Sequence, residues 1–157
     1  MTGLPAENVQ DYPRPPALER VPQRVEIRLG GQKIVDTSEA WRVCETHHAP
    51  TYYIPGDAIG AEITQARGRS FCEWKGVARY WSLAAGGTVA PRCAWDYPTP
   101  TKRFSALKDH FAIYAHAMDE CRVGGVPVTP QPGDFYGGWV TPNLTGIVKG
   151  GPGTEGW

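Results

Sequence analysis

Between Cys72 and Pro98 the chain reads Cys72-Glu73-Trp74-Lys75-Gly76-Val77-Ala78-Arg79-Tyr80-Trp81 and then, past a Gly86-Gly87 turn, Trp95-Asp96-Tyr97-Pro98. Three of the six tryptophans and two of the seven tyrosines fall in this stretch. Tryptophan is rarely buried completely, and its N–H needs a partner when it is. Such a cluster builds either an aromatic core or the wall of a pocket. As a wall, Trp74, Trp81 and Trp95, with Tyr53, Tyr80 and Tyr97 nearby, would stack a planar ring or hold a cation against their π faces. Trp74 and Trp81 are seven apart, so on one unbroken strand they would face opposite sides, and the break at Gly76 leaves their relation open.

Reactive groups stand beside the aromatics. If Trp74 points into a groove, Cys72 shares its face, and a thiol there becomes a nucleophile or redox group once a base lies near. The candidate bases are His47, His48 and His110. Glu45 shares a strand face with His47 if the strand persists, which would let a carboxylate orient an imidazole. Asp119, in Met118-Asp119-Glu120-Cys121, is a second orienting carboxylate. Each has a plainer alternative: a buried structural cysteine, turn residues that satisfy their own backbone, and Asp109 and Asp119 accepting N–H bonds at turns. These residues point to a site and name no reaction.

The elements that must position them are short strands. The chain has 157 residues, 41% apolar and 20% charged, which suits one globular domain with a core of useful size. Sixteen basic and sixteen acidic residues cancel, and Lys102-Arg103 is the only adjacent basic pair. That balance lacks the phosphate-attracting field of a nucleic-acid binder. Cys44, Cys72, Cys93 and Cys121 lie 28, 21 and 28 residues apart, with no Cys-x-x-Cys pair for zinc, and no cofactor or metal motif is evident. The N-terminus carries no basic-then-apolar leader and no run approaches a membrane span, so a soluble cytoplasmic protein is the expectation.

Residues 1–23, with five prolines, read as an extended arm, and the fold proper is expected from Arg24. Val25, Ile27 and Leu29 alternate with Glu26 and Arg28, and Gly30-Gly31 turns them into a hairpin with residues 32–36. Strands are expected at 41–45 and 51–54, around Ile63, at 71–74, 78–83, 93–97 and 110–114. Residues 104–109 are the best helical candidate, with a single helical turn near Asp57. The fold class is therefore mainly β with one or two short helices. Residues 24–130 form the domain. Residues 131–157 are rich in glycine yet carry Phe135, Tyr136, Trp139 and Trp157, so a docked tail is expected.

Four pieces together resemble the DUF427 family, mostly bacterial proteins of uncharacterised function. They are Glu45-Thr46-His47-His48-Ala49-Pro50-Thr51-Tyr52-Tyr53-Ile54-Pro55, the Cys72–Trp81 segment, Ala94-Trp95-Asp96-Tyr97-Pro98 and Lys108-Asp109-His110-Phe111-Ala112-Ile113-Tyr114. The resemblance spans about residues 24–157. It implies a β-tent-like fold, two antiparallel sheets pinned at one edge with a groove between them, distantly similar to methionine sulfoxide reductase B and the thalidomide-binding domain of cereblon. Trp74, Trp81 and Trp95 resemble the latter's cage in order and spacing. The leading expectation is a small planar or heterocyclic ligand bound in an aromatic groove. The alternatives are an enzyme using Cys72 or His110 with Glu45 or Asp119, and an interaction module that dimerises through its arm or tail.

Overall fold

A computed structural model describes residues 3–133, 135–151, 153 and 154. Two antiparallel sheets carry the architecture. In chain order their strands are β1 (Ala17–Arg20), β2 (Val25–Leu29), β3 (Gln32–Thr37), β4 (Trp41–Cys44), β5 (Thr51–Pro55), β6 (Glu62–Cys72), β7 (Gly76–Ala85), β8 (Thr88–Asp96), β9 (His110–Ile113), β10 (Glu120–Val123) and β11 (Val126–Pro127). The seven-stranded sheet runs β1-β4-β5-β9-β8-β7-β6 and the four-stranded sheet β11-β10-β2-β3. Among the described residues, helical structure is confined to short 3-10 segments such as Gly56–Ala58 and Lys102–Leu107. The molecule is mainly β and consistent with the β-tent-like class. Among the described residues no helix is long and apolar enough to cross a membrane.

Turn chemistry sets the hairpins. Gly30-Gly31 and Gly86-Gly87 take positive φ at both positions, the geometry a two-residue hairpin turn needs and that side-chain-bearing residues resist. These two turns, one from each sheet, meet backbone to backbone. A Cβ on Gly30 would lie 2.1 Å from the Ala85 carbonyl oxygen, and one on Gly86 would lie 2.0 Å from that of Gly30. The sheets are thus pinned at one end by a contact only glycine permits.

Alternation along the strands then divides the large sheet into two faces. Tyr52, Ile54, Leu83, Ala94 and Ile113 face the small sheet and pack on Val25, Ile27, Leu29, Val35 and Val123. Their neighbours Tyr53, Tyr80, Trp95 and Ala112 face the other way, with Phe104 and Leu107 of the Lys102–Leu107 segment.

Both termini are built into this frame. Ala17–Arg20, within the segment expected to be an arm, is the edge strand of the large sheet, paired Leu18 to Val43. Glu7–Asn8 pairs with Leu144–Thr145, so arm and tail hold one another within the chain. Tail residue Trp139 is buried between the sheets, stacks on Tyr52 at 5.0 Å and donates its indole N–H to the Ile113 carbonyl at 3.0 Å. Trp157 lies outside the described residues.

Candidate functional site

The outward face of the large sheet carries a row of side chains fixed by strand register. Tyr80 on β7 lies opposite Trp95 on β8, Trp95 opposite Ala112 on β9, and Ala112 opposite Tyr53 on β5. Only the methyl of Ala112 stands between the indole of Trp95 and the phenol of Tyr53 in this row. Tyr97 continues it, 6.4 Å from Tyr53 between ring centroids, and Tyr114 lies 4.7 Å from Trp95. Above the row is a cavity of about 210 Å³.

Its walls come from four places. The aromatic floor is Tyr53, Tyr80, Trp95, Tyr97 and Tyr114. The β6 end and the turn after it supply Ser70, Cys72 and Lys75, and the β4–β5 connection supplies Glu45 and His48. The roof is the tail: Gln131, Phe135, Tyr136, Gly137 and Gly138. The tail lies so close to the floor that a Cβ on Gly137 would sit 2.1 Å from the edge of the Trp95 ring.

Most polar groups here are already engaged. The Tyr80 hydroxyl donates to Ser70 Oγ at 2.8 Å, and the Arg92 guanidinium covers a face of the Tyr80 ring at 3.9 Å. The Tyr114 hydroxyl donates to the Phe135 carbonyl at 2.9 Å. Glu45 is paired with Arg14 at 3.3 Å. Lys75 stands 5.7 Å over the Tyr97 ring. Tyr53 holds the one buried side-chain N or O atom without a regular partner among the described residues. The residue is 1% exposed, and the atom is its hydroxyl oxygen. A buried orphan hydroxyl forfeits about 1–3 kcal/mol of solvation, which is why native structures hold few of them.

Burial shapes the titration of the site. It pushes the phenols of Tyr53 and Tyr97 well above their ordinary value and that of Tyr114 up to about 12. It also brings the His48 imidazole down to about 4, and the charges of Lys149, Arg14, Lys75 and His47 act in the same direction. His48 is therefore neutral at neutral pH. Cys44, Cys93 and Cys121 are buried, and desolvation raises their thiols to about 12, 11 and 12. Cys72 is half-buried on the cavity wall.

The expected site residues separate into groups. Tyr53, Tyr80, Trp95, Tyr97, Cys72 and Glu45 share the cavity. The three tryptophans do not share it. Trp74 sits in the turn between β6 and β7, half-buried against the outward cluster, with its carbonyl accepting from Thr101 Oγ1 at 2.6 Å. Trp81 follows Tyr80 on one strand and so faces the small sheet. There it meets Phe111 edge-on at 5.7 Å and donates its indole N–H to Asp96 Oδ1 at 2.7 Å. Asp96, 3% exposed, also takes two hydrogen bonds from Arg79.

Trp81, Arg79, Asp96 and His110 line a separate, open depression at the end of the β7–β8 hairpin away from the pinned turns. His110 lines that depression and not the cavity that holds Cys72, and its Nδ1 lies 2.8 Å from the Lys108 carbonyl. Asp119 belongs to neither place: its carboxylate accepts the Gly31 N–H at 2.8 Å and holds the β2–β3 turn. Among the described residues no group of three or more His, Cys, Asp or Glu gathers as a metal site.

His48 lines the same cavity as Cys72, Glu45 and the floor tyrosines, and Gln131 joins them from far along the chain. A buried, 2%-exposed glutamine in a Gly/Pro-rich tail carries no periodic signal, so sequence reading missed it. Residues 17–124 match the family model described as a domain of unknown function (DUF427). That span includes the whole aromatic floor, while the roof from Gln131 onward lies beyond it. The comparison with curated proteins finds no match.

Proposed function

We propose that this chain, which belongs to the DUF427 family, binds a small planar ligand in the cavity over Tyr53 and Trp95. The observation that carries the reading is the hydroxyl of Tyr53, a floor residue of the cavity, which is buried and without a regular partner among the described residues. A ligand that brings a donor or acceptor to that oxygen recovers its lost hydrogen bond. The surrounding rings offer π faces on which a flat molecule stacks. Size supports a single substituted ring: a cavity of about 150 Å³ accommodates benzene, and this one is about 210 Å³. The test is a broad panel of metabolites read by tryptophan fluorescence. Quenching by at least one planar compound, abolished in Trp95→Phe, is expected. No response from any member would refute the reading.

A second reading, an enzyme acting through Cys72, draws on one observation. Cys72 is the half-buried thiol on a cavity wall shared with His48, whereas the other three cysteines are buried in the protein. Expected from this is preferential reactivity at Cys72, for which a labelling test is given below.

A further inference from the structure

The polar groups of the cavity are arranged with one bias, and Gln131 sets part of it. The Ala49 N–H donates to Gln131 Oε1 at 3.1 Å, and Gln131 Nε2 donates to the Lys149 carbonyl at 3.0 Å. Those two backbone partners have fixed roles, so they fix which end of the amide is nitrogen. The same Nε2 lies 3.3 Å from His48 Nδ1. A nitrogen that bears only hydrogens toward its neighbour forces that neighbour to accept. His48 Nδ1 is therefore unprotonated, and the ring proton sits on Nε2. Gln131 is a positioning residue that makes His48 a hydrogen-bond donor.

Among the described residues, the charge on the cavity wall that no opposite charge pairs is positive. Glu45, the acid on the wall, is taken up by Arg14. Lys75, also on the wall, has no carboxylate partner within 4 Å among the described residues and faces only the Tyr97 ring. Lys149 lies over the Tyr136 ring of the roof at 5.5 Å, and Arg92 over Tyr80 of the floor. Lys149, Arg14, Lys75 and His47 all act on His48 in the sense that disfavours a charged ring, as burial does most of all. Among the described residues the cavity has cations at its rim, its acid Glu45 is paired, and His48 is a donor fixed by Gln131, which favours an acceptor that bears negative charge.

We infer that the ligand is a planar ring carrying a carboxylate or an equivalent anionic acceptor, held between the Lys75 ammonium and the His48 N–H that Gln131 fixes. This rests on the binding reading above, and it adds the ligand's charge and the residues that select it. The ring lies on Trp95 and Tyr53, and the acidic group turns toward the tail and the β6–β7 turn.

The experiment uses matched sets of single-ring compounds on phenyl, pyridyl and pyrimidinyl rings, each as carboxylate, carboxamide and aminomethyl derivative. Affinities are read by calorimetry on the full chain. Carboxylates should bind at least tenfold more tightly than the matching carboxamides, and aminomethyl compounds more weakly than either. Lys75→Met should remove most of that preference while carboxamide binding persists. Equal affinities, or a preference for the amines, would overturn the inference and leave the binding reading standing. If no compound of any set binds, this inference falls, and the broad panel above decides the binding reading by itself. A readout without ligand addresses the positioning role: nitrogen-15 shifts of His48 should show the Nε2–H form in the wild type and move toward Nδ1–H in Gln131→Glu, whose carboxylate accepts. An Nδ1–H form in the wild type would overturn the assignment to Gln131.

Discussion

Replacing Tyr53 by Phe removes one oxygen atom and separates stability from binding. The ring stays in the row between Ala112 and Trp41, where β-sheet register holds it. What disappears is the buried hydroxyl of a residue only 1% exposed, with no regular hydrogen-bond partner among the described residues. Leaving such a group unsatisfied costs about 1–3 kcal/mol, and part of that is recovered by looser hydrogen-bond geometry toward Trp95 and Tyr97. Tyr53→Phe should therefore stabilise the ligand-free protein by about 1 kcal/mol. For a domain near 150 residues that raises Tm by about 2–4 °C. The same change deletes the hydrogen bond a ligand would make, worth about 0.5–1.5 kcal/mol, so affinity for a planar ligand should fall about two- to tenfold. Denaturant unfolding gives the first number and calorimetric titration the second. A variant that is less stable than the wild type by 1 kcal/mol or more would refute the reasoning, because it would mean the hydroxyl is already fully satisfied.

Three further expectations follow from the same geometry. The native state holds the His48 imidazole down to about 4, against about 6.5 in the unfolded chain, so the contribution is intact above pH 6.5 and is lost as pH falls toward 4. With the ring only partly buried the loss should total about 1–2 kcal/mol, and His48→Gln should flatten that part of the stability–pH curve; a curve unchanged in the variant would contradict the assignment. Gly137→Ala places a methyl 2.1 Å from the Trp95 ring, which should cost about 1–3 kcal/mol and shift the emission of Trp95 as the roof or the indole gives way; unaltered stability and emission would show that the tail does not press on the floor. Iodoacetamide should label Cys72 at least tenfold faster than Cys44, Cys93 or Cys121, as resolved by peptide mass mapping, because those thiols are buried and hard to ionise. Equal rates would remove the support for chemistry at Cys72.

The local elements were legible because they rest on short-range rules. Alternation from Val25 to Leu29, the Gly30-Gly31 pair and the run after it predict a hairpin, and β2 and β3 form it. The four aromatic segments that resemble the DUF427 pattern lie where the family match covers the chain. Tyr53, Tyr80, Trp95, Tyr97, Cys72 and Glu45 could be collected as one candidate set from their types alone. The strands expected around Ile63 and at 71–74 are one strand, Glu62–Cys72, because a register shift between Gln65 and Arg69 breaks the alternation that would have joined them.

What the sequence determined by itself is therefore the class of fold, the turns and the pool of candidate residues, since each depends on neighbours a few positions away. The tertiary structure decided which candidates meet. Side chains alternate across a strand, so adjacent Tyr80 and Trp81 part to opposite faces, and cross-strand register alone brings Trp95 and Tyr53 to the side that Tyr80 takes. The tail decided the rest: Gln131 reaches His48 across 83 residues, and Gly137 closes on Trp95. Contacts at such separation are set by the packing of whole elements, and no local pattern in the chain encodes them.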